Sequence, residues 1–116
     1  MRETILNKIK VSKLKKINSP NGSVMHALKK NDSDFSSFGE VYFSKIKKNK
    51  IKGWKMHNKM KSNLIVPFGE VRFVFFDLKN SLYREEIIGI KRYMRLFVPP
   101  KIWFAFQGLS KGESII

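Results

Sequence analysis

The chain has 116 residues, enough for one domain with a single apolar core. Apolar residues make up 42% of it, no apolar run approaches the roughly 18 residues of a membrane span, and the lack of cysteine excludes disulfides and thiolate metal sites. The formal charge of +15 lies mostly in residues 1–61, where 16 Lys/Arg stand against four acidic residues, so polyanionic partners are expected: nucleic acid, acidic lipid or a nucleotide diphosphate.

Residues 1–23 form a basic leading segment that ends in a turn. The apolar positions between Ile5 and Leu14 alternate with lysines, which is compatible with either a short amphipathic helix or a basic strand. The turn lies at 18–23, where a proline fixes φ and an Asn-Gly pair supplies a positive φ. The start has no long apolar segment followed by small residues, so no secretory signal and a cytoplasmic location are expected, which the absence of cysteine fits.

Residues 24–116 are predicted to form strands separated by tight turns, with one polar loop at 29–37. The predicted strands are rich in β-branched and aromatic residues and lie at 24–28, 39–46, 51–57, 64–67, 70–78, 85–90, 94–98 and 102–106. They recur about every 8 to 12 residues without a helical period between them, which is typical of an all-β sandwich or barrel. The sequence therefore predicts one domain over 1–116, with a β-barrel at 24–116 behind the basic segment.

Five short blocks follow one another in a distinctive order over residues 38–116. They are Phe43-Ser44, Ile51-Lys52-Gly53-Trp54, Gly69-Glu70-Val71 running to Asp77-Leu78, Leu96-Phe97-Val98-Pro99-Pro100, and Phe106-Gln107-Gly108-Leu109-Ser110. In this order they resemble the cupin-fold sugar-nucleotide epimerases, the RmlC-like family of the dTDP-4-dehydrorhamnose 3,5-epimerases. The resemblance implies a double-stranded β-helix, the jelly-roll barrel of the cupins, acting as a homodimer on a nucleotide sugar.

The resemblance places the chemistry on the segment 51–57. In the family, a strand reading Arg-Gly-Leu-His supplies an arginine for the nucleotide diphosphate and a histidine that removes a proton beside the sugar ketone. Aligned without gaps, Lys52 takes the arginine place, Trp54 the leucine place and Lys55 the histidine place. His57 lies two residues on, hence on the same face of a strand, and the related cupin ketoisomerases carry two histidines at this spacing. We expect His57 to be the base, since imidazole titrates at about 6.5 without assistance, and Lys55 to stabilise the enolate or a phosphate.

Four further side chains are candidates for substrate binding. Lys52 and Arg72 are expected to contact the diphosphate, because charged hydrogen bonds on a barrel wall strengthen as water is excluded. Trp54 is expected to stack on the nucleotide base. Lys61 is adjacent to Ser62, the place of the family lysine that stabilises the enolate.

Besides Ser62, the chain departs from the family pattern at three further places. The expected base position is Lys55, the histidine of the last aromatic strand falls at Phe104, and the general-acid tyrosine falls beyond Ile116. The resemblance therefore implies altered catalytic residues and a shortened carboxyl-terminal end. A metal is not expected, because a cupin metal site needs two or three histidines with a carboxylate and His26 lies far from His57 in sequence.

Three functions are consistent with these patterns. The first is an epimerase or isomerase acting on a dTDP-linked 4-keto-6-deoxy sugar, in the supply of O-antigen or lipopolysaccharide precursors. The second is a non-catalytic cupin that binds a sugar nucleotide, which the altered base position favours. The third is a basic nucleic-acid-binding β-barrel, which ranks last because the lysines cluster in turns and in the leading segment instead of alternating with aromatics on one strand face.

Overall fold

The computed structural model describes residues 3–116. Within that range it has one 3₁₀ turn at Ile5–Lys8, followed by strands only. The strands are β1 (Lys10–Lys13), β2 (Lys16–Ile17), β3 (Val24–Met25), β4 (Lys45–Lys47), β5 (Ile51–Lys55), β6 (Ser62–Ile65), β7 (Glu70–Asp77), β8 (Leu82–Gly89), β9 (Met94–Val98), β10 (Trp103–Gly108) and β11 (Glu113–Ile115). The prediction of an all-β chain is confirmed. No helix in the described part of the chain is long and apolar enough to cross a membrane.

Two antiparallel sheets enclose one core. The larger sheet has the strand order β5-β10-β7-β8, and the smaller has the order β1-β9-β6. Two short pairs, β11-β4 and β2-β3, complete the pattern. Both sheets contribute to a single cluster of buried side chains, with Phe73 and Phe75 from β7 and Leu96 and Val98 from β9.

Strand β7 explains how the large sheet acquires two different faces. Its residues alternate between buried and half-buried along the whole strand, so that Val71, Phe73 and Phe75 are fully buried. Their partners across β10 are also buried, with Phe104 opposite Phe75 and Phe106 opposite Phe73. Because opposed residues in an antiparallel pair project to the same side, this side is the inner face of the sheet. Each fully buried phenylalanine on it stabilises the fold by about 1.5–3 kcal/mol.

The leading segment contributes the edge strand β1 to the smaller sheet, and its 3₁₀ turn contacts β7. The sequence pattern is compatible with either a short helix or a strand in this segment. The chain forms the 3₁₀ turn first and then the strand β1. Thr4 caps the turn with its side-chain oxygen and also donates a hydrogen bond to the carboxylate of Asp77 at the end of β7. Hydrogen bonds from Thr4 and Asn80 hold the pKa of Asp77 below its usual value.

The largest error in the sequence prediction concerns the segment 38–43. A strand was expected over 39–46, but β4 covers only Lys45–Lys47. Phe38, Val41, Tyr42 and Phe43 are each 60–76% exposed. Their composition favours a strand, but a strand forms only beside a neighbour that completes its hydrogen-bond ladder. In residues 3–116 that ladder stops at the pair of backbone hydrogen bonds between Ser44 and Ile116.

Candidate active site

Strand β5 enters the large sheet with an irregular register. Lys55 lies opposite Phe104 and Lys52 lies opposite Phe106, so three steps along β5 match two along β10. This is a bulge, in which the extra residue lets the side chains at both ends project to one side. Lys52 and Lys55 therefore both project to the inner face. Gly53 permits the close approach, since its φ is +141° and a Cβ there would lie 2.6 Å from the Cβ of Ala105.

Lys55 and His57 meet at one aromatic ring. The Lys55 ammonium lies 5.7 Å from the ring centre of Phe104, and the His57 imidazole lies 6.2 Å from it at an angle of 46°. The ring of Phe104 is itself buried and packs against the core ring of Phe75, with the ring centres 6.1 Å apart and the planes tilted by 40°. A cation over an aromatic face is attracted by the ring quadrupole. The arrangement thus brings a proton acceptor and a positive charge together on one rigid support.

The backbone after β5 is held in place by the turn that precedes β10. The N–H of Lys101 donates to the carbonyl oxygen of His57 at 2.8 Å, and the Lys101 ammonium donates to the side chain of Asn58 at 3.2 Å. Lys101 adopts a left-handed φ of 75°, which is uncommon for a residue with a side chain. This contact could not be predicted from residue types, because the two adjacent prolines indicate a turn but not the partner of its N–H groups.

Lys52 lies at the opposite end of the bulge from Lys55. Its ammonium donates to the backbone oxygen of Lys45 at 2.7 Å and to the hydroxyl of Ser44 at 3.2 Å. An ammonium has three donors, so one N–H remains for an anionic ligand. Lys52 is therefore positioned by the start of β4.

The remaining three candidates lie apart from His57. The ammonium of Lys61 donates to the hydroxyl of Ser36 at 3.1 Å, in the loop before the segment 38–43. Arg72 and Trp54 project to the outer face of the large sheet. A ligand in contact with Lys55 and His57 is on the other side of the sheet from these two residues.

The contacts of Arg72 and Trp54 identify that outer face. Arg72 donates to Gln107 at 3.2 Å and lies 3.5 Å from a carboxylate oxygen of Glu85. The ring of Trp54 packs edge-on against Phe76 at 6.4 Å. Since Phe76 is the neighbour of the inward-facing Phe75, it necessarily projects outward.

The second histidine is not part of this cluster. The backbone carbonyl oxygen of His26 accepts a hydrogen bond from the hydroxyl of Tyr93 at 2.7 Å. The backbone N–H of His26 donates to the carbonyl oxygen of Lys15. These contacts hold it in a loop beside β1. Burial raises the pKa of Tyr93. Among residues 3–116, histidine, aspartate and glutamate side chains form no group of three that could hold a metal ion, and metal-free chemistry stays a prediction.

Solved structures with this architecture act on nucleotide sugars. A dTDP sugar isomerase from Desulfovibrio desulfuricans G20 is 26% identical, with a TM-score of 0.90 over 99% of this chain and 77% of that one. QdtA, a sugar 3,4-ketoisomerase from Thermoanaerobacterium thermosaccharolyticum solved with TDP, is 20% identical, with a TM-score of 0.78 over 95% and 78%. A dTDP-4-dehydrorhamnose 3,5-epimerase from Sulfolobus tokodaii is 21% identical, with a TM-score of 0.75 over 92% and 67%.

The fold is thus that of the RmlC-like cupins, the class that contains the dTDP-sugar isomerases and epimerases. A family model described as FdtA, WxcM-like, C-terminal, matches residues 7–116, and the chain belongs to this family. Curated protein sequences give no match. The resemblance expected from the five sequence blocks is confirmed.

Proposed function

We propose that this chain is an isomerase or epimerase of a dTDP-linked 4-keto-6-deoxy sugar, with His57 as the base. The observation that carries the proposal is the meeting of His57 and Lys55 at the ring of Phe104 on the inner face of a cupin barrel. The dTDP sugar isomerase at 26% identity supports the choice of substrate. Two of the named relatives, an isomerase and an epimerase, share this fold, so the fold alone leaves both reactions open.

The chemistry begins with a carbon acid. A hydrogen on the carbon next to a ketone is removable because the electron pair left behind delocalises onto the carbonyl oxygen as an enolate. The imidazole of His57 accepts this proton, since imidazole takes and returns protons near neutrality. The ammonium of Lys55 stabilises the negative charge that develops on the oxygen.

The arrangement of the two groups favours 3,4-ketoisomerisation over epimerisation. In ketoisomerisation the proton leaves C3, an enediolate forms across C3 and C4, and a proton is returned to C4 while the hydroxyl proton moves from O3 to O4. A single base can carry out both carbon transfers from one side. Epimerisation requires an acid on the opposite face of the sugar, and Lys55 and His57 lie on the same face of β5.

Positive charge on the inner face of the sheet is proposed to bind the nucleotide. Lys52 projects to the same face as Lys55 and has one donor left, and charge-assisted hydrogen bonds to phosphate are about twice as strong as neutral ones. We propose that Lys52 contacts the diphosphate and that Lys61 adds positive charge at the border of the site. Trp54 and Arg72 have no part in this proposal, because they project to the other face.

Three properties of the protein in the cell belong to the same proposal. We propose a homodimer, in keeping with the resemblance and with the exposed strand edges of the fold. A cytoplasmic location is proposed because a cysteine-free chain fits a reducing compartment. The sugar product is proposed to supply cell-surface polysaccharide synthesis.

The test is proton exchange in heavy water. The protein is incubated with dTDP-4-keto-6-deoxyglucose in D₂O, and NMR follows deuterium entry at C3, C4 and C5 together with formation of the 3-keto sugar. We expect exchange at C3 and C4, reduced about 10²- to 10⁴-fold in His57→Ala. The matched control is His26→Ala, which removes a histidine outside the site and is expected to keep full activity.

The same experiment separates the alternatives. Exchange at C3 and C5 without 3-keto product indicates an epimerase. A third outcome is that calorimetry detects dTDP binding but NMR detects no exchange with this or related dTDP-4-keto sugars. That outcome indicates a non-catalytic cupin and rejects the proposed reaction.

A further inference from the structure

The smaller sheet has a polar loop, residues 26–34, packed on the side that faces away from the core. Leu96 on β9 belongs to the core, so its neighbour Arg95 projects to the other side, together with Ser12 opposite it on β1. There Arg95 donates to the carbonyl oxygen of Ala27 at 2.7 Å, and Ser12 donates to the carboxylate of Asp34 at 3.2 Å. This side of the smaller sheet is therefore separate from the inner face that carries Lys55.

A buried arginine and two aspartates hold the loop against the sheet. The side chain of Arg95 is only 5% exposed, and its guanidinium lies 3.4 Å from Asp32 and 3.5 Å from Asp34. Asp34 also has the ammonium of Lys10 at 3.7 Å, and Asp32 accepts from the backbone N–H of Lys29 at 2.8 Å. Both carboxylates are thus already matched by positive charge or by a donor.

A cavity of about 310 Å³ lies beside this cluster, between the loop and the leading segment. Its lining includes Lys13 and Lys15 from the leading segment and Lys29 from the loop, with Arg95 and Asp32 from the cluster. Four cationic side chains therefore surround the cavity against one carboxylate. The volume is at the lower end of the range of about 300–1,000 Å³ that small-molecule sites occupy.

The three lysines around the cavity have no carboxylate partner in residues 3–116. The ion pairs of this part of the chain involve Lys10 and four arginines, and the side chains of Lys13, Lys15 and Lys29 are exposed. Like charges gathered at one concave surface repel each other, and such a surface concentrates anions from solution. The cavity is consequently built to attract a small molecule with several negative charges.

Phosphate is the anionic group that these side chains suit best. A lysine ammonium binds phosphate oxygens as a point charge, and the hydroxyl of Ser33 lies in the same lining as a further donor. A single carboxylate has too little charge for three ammonium groups, whereas a diphosphate can contact all of them. The apolar side chains of Leu14 and Leu28 also line the cavity and leave room for an organic part.

We propose that the cavity between the loop 26–34 and the leading segment binds the diphosphate group of a small molecule. The bound group joins Lys29 on the loop to Lys13 and Lys15 on the leading segment. A long polyanion is not the expected ligand, because the cations converge on a cavity instead of following a groove along the surface. The inference does not depend on the proposed reaction, since it makes no use of His57.

The chain contains one reporter for each of the two sites. It has two histidines, of which His26 lines the cavity and His57 lies at the proposed active site. Proton NMR of the full chain follows both imidazole signals during titration with inorganic pyrophosphate, at fixed pH and ionic strength. The variant His57→Asn assigns the signals because it loses one of them. We expect the His26 signal to move along a saturable curve whose dissociation constant agrees with calorimetry.

Two double variants with the same change in charge make the test specific. Lys15→Gln with Lys29→Gln removes two of the proposed contacts, and we expect pyrophosphate binding to weaken about 100-fold, about tenfold for each charged hydrogen bond. Lys48→Gln with Lys111→Gln is the matched control, because both lysines are exposed in turns away from the cavity. The control should change the dissociation constant by less than about twofold. Far-ultraviolet circular dichroism and the thermal midpoint establish that each protein is folded.

A titration with dTDP distinguishes the two sources of a diphosphate group. A dTDP dissociation constant at the His26 signal that is lower than that of pyrophosphate assigns the cavity to a nucleoside diphosphate. A higher one assigns it to inorganic diphosphate, and both results support the proposed site. The His57 signal is read in the same spectra, so binding at the proposed active site is measured separately.

Three results would overturn the proposal. The first is a His26 signal that does not saturate with millimolar pyrophosphate, or that stays fixed while the His57 signal moves. The second is an equal loss of binding in the two double variants, which would show attraction by net charge alone. The third is a single-stranded oligonucleotide that moves the His26 signal at far lower concentration than pyrophosphate, which would make this surface a nucleic-acid contact.

Discussion

Phe75 and Phe76 are neighbours on one strand, yet they belong to two different environments. Phe75 is fully buried and packs against Phe104, the ring that contacts Lys55 and His57. Phe76 is half-buried on the opposite face, between Trp54 and Tyr83. The comparison teaches that one strand serves two surfaces, an inner one that builds the core beneath Lys55 and His57 and an outer one that presents aromatic side chains to solvent. Each prediction below tests that division.

The largest effect is expected from truncating the inner face. Phe75→Ala should lower the free energy of unfolding by about 3–5 kcal/mol, because a buried ring leaves a cavity that the close-packed core cannot fill. Phe76→Ala should cost about 1 kcal/mol in the monomer, since this ring is already in partial contact with water. Urea unfolding of both variants, at concentrations low enough to keep the chain monomeric, measures the difference. Equal losses would contradict the division into two faces.

Removing the inner-face charge at the proposed site should affect rate but not folding. Lys55→Met keeps the length and apolar stem of the side chain and deletes the ammonium over Phe104. We expect kcat for the exchange reaction to fall about 100-fold, the order found when one stabilising group for a developing oxyanion is removed. Lys48→Met is the control, because this exposed lysine lies in the turn between β4 and β5. An unchanged kcat in Lys55→Met would exclude the enolate role.

The strands that were predicted well are those whose pattern is set by the core. The predicted 94–98 matches β9, and the predicted 70–78 exceeds β7 by one residue. In both, buried apolar side chains recur at strand spacing, and a local pattern of this kind is visible in the sequence. The segment 38–43 has the same residue types but lacks a ladder partner within the described chain. Composition could not reveal this difference, because strand pairing is a non-local property.

The same reasoning applies to the candidate site. The spacing of Lys55 and His57 placed them on one face, and the structure brings them to one ring. The sequence could not assign Trp54 and Lys52 to opposite faces, because that depends on the bulge opposite Phe104 and Phe106. A bulge changes the alternation of a strand at one point and has no reliable signal in residue type.

Asp77 is the last of the buried residues that alternate along β7, and its ionisation should make the stability of the fold depend on pH. Its pKa is lowered from the ordinary value of 3.8 by the Thr4 hydroxyl and by Asn80. A carboxylate with a lowered pKa stabilises the folded state above the unfolded value, and that stability is lost as the pH falls through the folded pKa. The thermal midpoint should therefore decrease below about pH 4. In Asp77→Asn this part of the decrease should be absent, and an identical profile would show that the hydrogen bonds from Thr4 and Asn80 are not linked to stability.

The smallest effect is expected at Arg72, and it is the sharpest test of the outer face. Sequence alone made Arg72 a candidate for the diphosphate, but its guanidinium contacts Gln107 and Glu85 on the side away from His57. Arg72→Met should therefore change the dissociation constant for dTDP by less than about twofold. Lys52→Met, on the inner face, should weaken it about tenfold, the loss of one charged hydrogen bond of about 1.5 kcal/mol. Calorimetry on the two variants gives both values. A strong loss in Arg72→Met would require the nucleotide to reach across the edge of the sheet, and the two faces would then form one binding surface.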